Sequence, residues 1–423
     1  MRDPSNIAIG IFACAYALFV ILPTRRTWIA AGGAALLVLL GVLSPQEALR
    51  AINWNVMGIF VGTLVIADSF MASRVPAYIA ERIVNNSKNA CWSILWICLL
   101  ASFISAFVEN VATVLIIAPI ALALSRKLSI NPTNMLIAIA ISSNLQGTAT
   151  LIGDPPSMLL AGFAKMNFMD FFFYRGKPSI FFAVQLGALA SFAVLYLIFR
   201  KHRARTEVVG VEKVRSWVPA AILVLLIVAL AGSSFFDIGF TSLSGQICMV
   251  FALATIIWEK MTNKKSIRKG VQALDWDTTF FLMGIFVIVG SITITGWISR
   301  IADGLSGIMG ANIFFGYTLL VLISVILSAF VDNVPFLAAM LPVALTISDK
   351  LQIAPSLMLF GLLIGASLGG NITPIGASAN IVACGLLKKE GHPVRFGHFV
   401  KIGLPFTMAA VAAAYLFVWA VWR

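Results

Sequence analysis

The chain has 423 residues, of which 60% are hydrophobic and 11% are charged, and its formal net charge is +13. A soluble domain carries about 25% charged residues, so the composition excludes an ordinary water-soluble protein and predicts an all-α polytopic membrane protein. The five cysteines all lie in apolar segments without metal-ligand spacing, which argues against disulfides and against a metal site.

The first half of the chain reads as a row of apolar segments, one of which is interrupted. Three apolar spans come first, and two apolar arms over about 90–125 follow them. The next apolar run covers 133–164, which as one straight helix would be ~48 Å long against ~30 Å of bilayer hydrocarbon. Gly147 and Pro155 disfavour helix near its middle, so the run predicts a broken transmembrane helix. One more span completes this half.

The second half of the chain has the same order of elements. A basic loop over 200–216, predicted to be cytoplasmic, separates residues 1–199 from residues 217–423. The paired arms of the second half cover about 312–348, and its interrupted apolar run covers about 354–387. The whole chain is therefore predicted to be one membrane transport domain made of two repeats.

Three pairs of short motifs indicate that the two halves arose by duplication. Residues 105–111 read SAFVENV and residues 328–334 read SAFVDNV, at a shift of 328 − 105 = 223 residues. The glycines of the two breaks match at the same shift, and a tryptophan-centred repeat matches residues 53–55, NWN, with residues 275–277, DWD, at 275 − 53 = 222. Three separate matches at nearly one offset predict an internal repeat.

The distribution of basic residues predicts the orientation of the chain. Lys and Arg concentrate in alternate connectors, beginning with the turn at Arg25 and Arg26. By the positive-inside rule these connectors are cytoplasmic, which places both termini outside the cytoplasmic (inner) membrane and explains the net charge without a nucleic-acid partner. Each half then makes five crossings besides its paired arms, and an odd number turns the second copy over. We predict an inverted repeat of five transmembrane helices plus one re-entrant hairpin each, as in many secondary transporters.

The paired arms have two interpretations. Re-entrant hairpins and pairs of ordinary spans both return the chain to the side on which it began, so loop charge does not separate them. We favour re-entrant hairpins because the loops at Glu109 and Asp332 lack Gly, Lys and Arg, which a surface turn would usually contain.

Acidic residues inside the apolar segments are the main functional signal. There are four of them, Asp68, Glu109, Asp154 and Asp332, and no Lys, Arg or His falls inside the same segments. An ionised carboxylate in an apolar environment is costly without a counter-charge. The sequence therefore predicts that a coupling ion, Na⁺ or a proton, neutralises them.

Each of these acids also has a structural interpretation. Glu109 with Asn110, and Asp332 with Asn333, are predicted ion sites at which Na⁺ could bind, or they hold each hairpin tip to its broken helix through hydrogen bonds. Asp154 carries a proton or caps the half-helix that follows it. For Asp68, near the end of a span, an interfacial position is the favoured interpretation.

The two breaks contribute further polar side chains. Opened helix N-termini offer N–H groups to an anion, and opened C-termini offer carbonyl oxygens to a cation. Polar packing between helices is the alternative. These side chains belong to Asn144, Thr148, Thr150, Ser157, Ser367, Asn371, Thr373, Ser378 and Asn380.

The paired motifs resemble those of a known family. SAFVENVATVLIIAP, GTATLIGDPP, SAFVDNVPFLAAMLP and GGNITPIGASAN are similar to signatures of the ion transporter superfamily. They are closest to its arsenite-permease and pink-eyed-dilution (P) protein branch, with a citrate-transporter-like domain, and more distant from the divalent anion:sodium symporters. The resemblance covers most of the chain.

The resemblance implies two re-entrant hairpins, two broken helices, a homodimer, and an elevator movement of a transport domain against a dimer scaffold. It also implies that hairpin tips and helix breaks together form the ion and solute sites. Carried over to this chain, the substrate-binding and ion-binding residues are Glu109, Asn110, Thr113, Asn144, Thr148, Thr150 and Asp154, with Asp332, Asn333, Ser367, Asn371, Thr373, Ser378 and Asn380.

The leading functional hypothesis is an ion-coupled secondary active transporter, driven by Na⁺ or H⁺, that moves a small anion or oxyanion by alternating access. A Na⁺/H⁺ antiporter and an arsenite or antimonite efflux permease are the alternatives, and a passive anion channel is a further one. The apolar segments contain no His and no HExxH motif, so we do not expect an enzyme. We expect no cofactor beyond the coupling ion, and the lipid bilayer as the surrounding partner.

Overall fold

The computed structural model describes residues 3–128, 130–202, 204, 213–237, 240–263, 274–310 and 312–423. The predicted basic loop over 200–216 lies largely outside the described residues. Short 3-10 turns cover Pro23–Arg25, Met169–Phe171 and Gly370–Ile372, and a small β hairpin pairs β1 (Phe173–Tyr174) with β2 (Lys177–Pro178). The α-helices are α1 (Pro4–Ile21), α2 (Arg26–Leu39), α3 (Pro45–Ala51), α4 (Trp54–Ala72), α5 (Val75–Asn85), α6 (Ala90–Ser105), α7 (Asn110–Lys127), α8 (Thr133–Gly147), α9 (Pro155–Ala164), α10 (Ile180–Phe199), α11 (Val218–Ser233), α12 (Leu243–Asn263), α13 (Trp276–Ile294), α14 (Trp297–Met309), α15 (Ile313–Ser328), α16 (Asn333–Lys350), α17 (Pro355–Gly369), α18 (Ser378–Lys389) and α19 (Phe396–Trp422).

The helices have the length and composition of membrane spans. Within the described part of the chain, eight helices are long and apolar enough to cross a membrane, or up to nine if the bent pair α14–α15 counts as one span. The prediction of an all-helical integral membrane protein is confirmed, with the β hairpin as a minor exception.

Helix ends coincide with both interrupted apolar runs. α8 ends at Gly147 and α9 begins at Pro155, while α17 ends at Gly369 and α18 begins at Ser378. Proline suits the first position of α9, because the N–H that it lacks would have no partner inside the helix. A Cβ atom on Gly153 would lie only 2.3 Å from the carbonyl oxygen of Gly147, so the folded-back loop requires glycine there.

One close contact between the two halves is made by α2 and α13. The Thr27 hydroxyl donates a hydrogen bond to the Asp277 carbonyl oxygen at 3.0 Å. Two turns further along, a Cβ atom on Gly33 would lie 3.0 Å from the side chain of Ile288. Residue numbers rise together along this contact, so α2 and α13 run in the same direction.

The second such contact is made by α4 and α12. The Gly245 N–H donates a hydrogen bond to the Asn55 side-chain oxygen at 2.7 Å. Further along, a Cβ atom on Gly62 would lie 2.6 Å from the backbone of Cys248, so the two helices touch backbone to backbone. These helices also run in the same direction.

Candidate functional site

A cavity of about 290 Å³ lies where the N-terminal ends of four helices meet. The four are α7, α9, α16 and α18, which follow the two hairpin tips and the two breaks. The second half of α4 and the beginning of α13 form further parts of the wall. The polar and charged side chains that line it are those of Arg26, Asp68, Glu109, Asn110, Asn144, Asp154, Asp275, Thr278, Asp332, Asn333 and Ser378.

Three of the four helix N-termini are capped by a carboxylate. Glu109 caps α7, Asp154 caps α9 and Asp332 caps α16. Each side chain accepts a hydrogen bond from a backbone N–H two or three residues later, at distances of 3.0, 3.0 and 3.1 Å. The negative charge of a cap compensates the positive end of the helix dipole.

The fourth N-terminus, that of α18, differs from the other three. Ala377 occupies the capping position, and no side chain of the described residues caps this helix. Ala377, Ser378 and Ala379 all line the cavity. The first N–H groups of α18 are therefore available to a group that enters the cavity.

The first hairpin tip is bonded to the first break. The Ser105 hydroxyl donates to the Asn110 side-chain oxygen at 2.6 Å, and the Asn110 amide nitrogen donates to the Asn144 side-chain oxygen at 3.1 Å. The Thr150 hydroxyl donates to the carbonyl oxygen of Ala106. These bonds fix the position of Glu109 and Asn110 relative to the break.

The second tip repeats these bonds at the repeat shift. The Ser328 hydroxyl donates to the Asn333 side-chain oxygen, and the Thr373 hydroxyl donates to the carbonyl oxygen of Ala329. The Asn333 amide nitrogen donates to the carbonyl oxygen of Ser367 at 3.4 Å. The hydrogen-bonding interpretation of the tips is thus observed in both halves, and it does not exclude ion binding.

Asn144 joins the two breaks to each other. Its amide nitrogen donates to the carbonyl oxygen of Ser367 and to the side-chain oxygen of Asn371, both at 3.0 Å. Because its own side-chain oxygen accepts from Asn110, one buried side chain connects both breaks and the first tip.

Several buried polar atoms around the breaks have no hydrogen-bond partner among the described residues. An unsatisfied buried polar atom costs about 1–3 kcal/mol, more when it is charged, so such atoms mark positions that a bound ion, water or solute can satisfy. The Asp154 carboxylate is the charged member of the group, and it is 1% exposed. The atoms are Asp154 Oδ2, Thr148 Oγ1, Ser367 Oγ, Asn371 Nδ2 and Asn380 Oδ1.

The structure brings half of the predicted site residues to the wall of the cavity. The other half lies behind that wall, where the hydroxyl of Thr113 donates to the Val108 carbonyl oxygen at 3.4 Å and the amide nitrogen of Asn380 donates to two carbonyl oxygens of the second break. Their roles in ion or solute binding stay predictions. The residues on the wall are Glu109, Asn110, Asn144, Asp154, Asp332, Asn333 and Ser378. The residues behind it are Thr113, Thr148, Thr150, Ser367, Asn371, Thr373 and Asn380.

Arg26 is a cavity residue that the sequence did not predict. Its Nη1 atom lies 2.5 Å from Asp332 Oδ2, in an ion pair. The expectation that no basic side chain is available to the four acids is therefore wrong for Asp332. The sequence did not indicate this ion pair, because an arginine beside a turn is typical of a solvated cytoplasmic loop.

Two further acids reach the cavity. Asp68 lines it from α4, although its position in the sequence favoured an interfacial residue. Asp275 lines it from the start of α13, where it accepts hydrogen bonds from the Thr278 N–H at 3.0 Å and the Thr278 hydroxyl at 2.6 Å. Asp275 belongs to the tryptophan-centred repeat, and this was the feature of the sequence that could have indicated a role for it.

Residues 16–365 and 250–423 match the citrate transporter family, CitMHS. The chain belongs to this family. The family description and the names of similar proteins are those of transporters and not of enzymes, in agreement with the prediction. The predicted relationship to the P protein is also confirmed, because the P protein of Homo sapiens is 24% identical over 98% of this chain and 60% of its own length.

Other similar proteins point the same way. An uncharacterized transporter of Mycobacterium tuberculosis is 29% identical over 433 residues, which cover 98% of each chain. The YdaH transporter of Alcanivorax borkumensis has a similar structure, with a TM-score of 0.62 at 13% identity over 99% of this chain and 98% of its own. MtrF of Neisseria gonorrhoeae, described with a class of antimetabolite efflux pumps, has a TM-score of 0.58 at 13% identity over 99% of this chain and 94% of its own. At this identity both structures show a shared transporter fold alone.

Proposed function

We propose that this transporter is secondary active and moves a small anion or oxyanion together with a coupling cation, Na⁺ or H⁺. The observation that carries the proposal is the difference between two equivalent helix N-termini in one cavity. Asp154 caps α9, whereas Ala377, at a shift of 377 − 154 = 223 residues, leaves α18 uncapped. One end is therefore suited to a cation and the other to an anion.

The cation position is supported by the acids of the first half. Asp154 Oδ2 and the Thr148 hydroxyl are buried close to each other and to Asn110, and neither atom has a hydrogen-bond partner within 3.5 Å in the described part of the chain. Among the same residues, no basic side chain lies within 4.0 Å of Asp154 or Glu109. Carboxylate, hydroxyl and amide oxygens suit Na⁺, and the carboxylates alone suit a proton.

The anion position is supported by the free end of α18. A carboxylate or oxyanion of the solute could accept hydrogen bonds from the first N–H groups of this helix, much as Asp154 accepts one from the Ser157 N–H in the first turn of α9. The family description names citrate, whose carboxylates have this chemistry. Phosphate and arsenate are other anions that would suit the same N–H groups.

Electrostatics explains why the two ions would move together. Of the described residues that line the cavity, five are acidic and one, Arg26, is basic. At ~6 Å and an effective dielectric constant of ~20, two like unit charges repel by ~3 kcal/mol, which is about 100-fold in affinity. A cation bound at Asp154 and Glu109 would remove this repulsion, so the anion would bind well only after the cation.

The directions of the helices support the inverted repeat. α2 and α13 run in the same direction, and so do α4 and α12. α13 is the counterpart of α4 in the predicted repeat, and it is parallel to α2. If α2 and α4 cross the membrane in opposite directions, α13 therefore crosses in the direction opposite to that of α4, as an inverted repeat requires. We propose on this basis an inverted repeat that works by alternating access, with the elevator movement and the homodimer that the family resemblance implies.

The residues that line the cavity support an inward-facing state in the proposed alternating-access cycle. Its wall includes Arg26, Met71 and Asp275, which belong to helix ends that are predicted to be cytoplasmic. We propose that the structure represents the inward-facing state, with both termini outside the cytoplasmic membrane.

Reconstituted protein tests this function. Proteoliposomes would be assayed for uptake of labelled citrate, phosphate and arsenite under separately imposed Na⁺ and H⁺ gradients. Uptake of one solute against its own gradient is the expected result. Absence of any gradient dependence would contradict coupling, and flux at channel rates that reverses at the Nernst potential would favour a passive anion channel.

Cation/proton antiport is the second candidate, and the excess of acids in the cavity favours it. In that case Asp154 and Glu109 would carry the exchanged Na⁺ or H⁺, and no anion would be needed. A pH-sensitive dye inside the proteoliposomes separates the two functions, because antiport predicts a proton flux on addition of Na⁺ or Li⁺ in the absence of any other solute.

A further inference from the structure

The guanidinium of Arg26 is held in a fixed position inside the candidate site. Its Nη1 atom pairs with Asp332 at 2.5 Å, and its Nη2 atom donates to the Thr278 hydroxyl at 3.1 Å. The guanidinium carbon lies 4.9 Å from the centre of the Phe281 ring, which adds a cation–π contact. Only 22% of the Arg26 side chain is exposed. These contacts from three sides distinguish it from a mobile surface arginine.

Both carboxylate oxygens of Asp332, the acid of the second hairpin tip, have a partner. Asp332 Oδ1 accepts from the Val334 N–H at 3.1 Å as the cap of α16, and Oδ2 faces Arg26. Glu109, the equivalent acid of the first tip, caps α7 in the same manner but has no basic side chain within 4.0 Å among the described residues. The two tips therefore carry equivalent carboxylates, Glu109 and Asp332, in different charge environments.

The helix packing explains this difference. Arg26 on α2 contacts Asp277 of α13, at 3.8 Å from Nε to the carboxylate. In the tryptophan-centred repeat the counterpart of Asp277 is Asn55 (277 − 55 = 222), and Asn55 contacts Gly245 of α12. Gly62 meets the backbone of Cys248 as its counterpart Gly284 meets that of Ala30, a shift of 248 − 30 = 218 between α2 and α12. Ser244 (26 + 218 = 244) therefore stands in the place of Arg26, and its side chain carries no charge to extend toward Glu109.

We propose that Arg26 is a tethered counter-ion that occupies the cation position of the second half, so that the protein binds one coupling cation, in the first half, and not two. This inference rests on the proposed cation coupling and names its stoichiometry. The duplicated tips alone would suggest two equivalent cation sites. The guanidinium fills one of them permanently, and the mobile Na⁺ or H⁺ uses the other.

Removal of the guanidinium should open the second site. In Arg26→Gln the Asp332 carboxylate would lose its counter-charge and would recruit a second Na⁺ or proton. The number of cations that move with one solute, measured from the gradient that just stops net flux, should rise from about one to about two. The double variant Arg26→Gln/Asp332→Asn removes both charges and should return the number to about one.

Two matched variants control for other effects. Arg26→Lys keeps the charge and should keep about one cation per solute. Arg25→Gln removes the neighbouring arginine, which is exposed and does not line the cavity, and should change nothing. About two cations per solute in the unmodified protein, or an unchanged number in Arg26→Gln, would overturn the inference.

A second measurement is independent of transport. The melting temperature of the purified protein should fall in Arg26→Gln and recover in Arg26→Gln/Asp332→Asn, because the latter no longer contains an unpaired, partly buried carboxylate. If the melting temperature recovers in the double variant but no gradient-driven flux is found, the proposed function is contradicted and the Arg26–Asp332 ion pair is still supported. Equal melting temperatures for all three proteins would overturn the tethered counter-ion.

Discussion

Asp154 caps one helix of the candidate cavity, and Ala377 stands at the equivalent position of another helix without capping it. The two residues are separated by the repeat shift of 223 (377 − 154), so they occupy equivalent positions in the predicted repeat. Both line the same cavity. Under the proposed function, the methyl group in place of a carboxylate would give the cavity an anion-binding side opposite the cation-binding side at Asp154.

Supplying the missing cap should block the anion position. In Ala377→Asp the new carboxylate would accept a hydrogen bond in the first turn of α18, as Asp154 accepts one from the Ser157 N–H in α9. An added cap stabilises a helix by ~0.5–2 kcal/mol, so the melting temperature should rise or stay constant while anion uptake is lost. Melting curves and proteoliposome uptake of the same preparation check both parts.

Another alanine-capped helix provides the control for this variant. Ala354 precedes α17 without a side-chain cap, is exposed, and does not line the cavity. Ala354→Asp should therefore stabilise the protein to a similar extent and leave uptake unchanged. Full uptake by Ala377→Asp, in a protein that melts normally, would contradict the anion position at α18.

The charge of Asp154 can be removed without removing its cap. Asparagine caps helices about as well as aspartate, so Asp154→Asn should melt within a few degrees of the unmodified protein. It should nevertheless lose the dependence of transport on Na⁺ or pH, because the charged oxygen Oδ2 is gone. Solute uptake measured across a series of Na⁺ concentrations and pH values checks this expectation. Asp349→Asn, which alters an exposed acid at the end of α16, is the matched control.

Loss of the Asn144 side chain should uncouple the two breaks. Asn144→Ala removes the hydrogen bonds to Ser367, Asn371 and Asn110, which leaves buried partners unsatisfied at about 1–3 kcal/mol each. We expect a large drop in melting temperature together with loss of transport. Asn134→Ala, on the same helix, removes only an exposed contact to His398 and should cost less than ~1 kcal/mol. Similar melting temperatures for the two variants would argue against the bridging role of Asn144.

A single methyl group at the first break should displace the tip. A Cβ atom on Gly147 would lie 2.2 Å from the Asn110 side-chain oxygen, so Gly147→Ala forces the amide away from Ser105 and Asn144. Overpacking of this kind costs ~1–3 kcal/mol, and cation-dependent transport should fall with it. Gly385→Ala, in α18, has no heavy atom of the described residues within 4 Å of the new methyl group and should be neutral or slightly stabilising. Normal cation-dependent transport by Gly147→Ala would contradict the geometry of the first tip.

The sequence predicted the features that depend on local backbone chemistry. Gly147 and Pro155 interrupt an apolar run because neither residue favours the interior of a helix, and helices end and begin at these two residues. The tips at Glu109 and Asp332 were visible because acids between apolar arms are costly and occurred twice. Such signals are contained in a few neighbouring residues.

Features that depend on packing between distant helices were not predictable in this way. Arg26 follows a turn, where an arginine normally faces water, and only the packing of α2 against α13 and the second tip directs it to Asp332. Asp275 was recognised as part of a repeat but not as a wall of the cavity. Arg26 and Asp332 are 306 residues apart in the chain, and Asp275 meets the other acids of the cavity only after distant helices have packed, so no local pattern reports either arrangement.

Equilibrium binding of the transported solute to the purified protein tests the central claim most directly. The affinity would be measured across a matrix of Na⁺ concentrations and pH values for the unmodified protein, Asp154→Asn and Ala377→Asp. We predict that one of the two cations raises the affinity of the unmodified protein by up to about 100-fold, that Asp154→Asn binds with an affinity independent of either cation, and that Ala377→Asp does not bind the solute. Equal affinity of the unmodified protein at every Na⁺ concentration and pH, together with normal binding by Ala377→Asp, would contradict a cavity that holds a cation at one helix end and an anion at its twin.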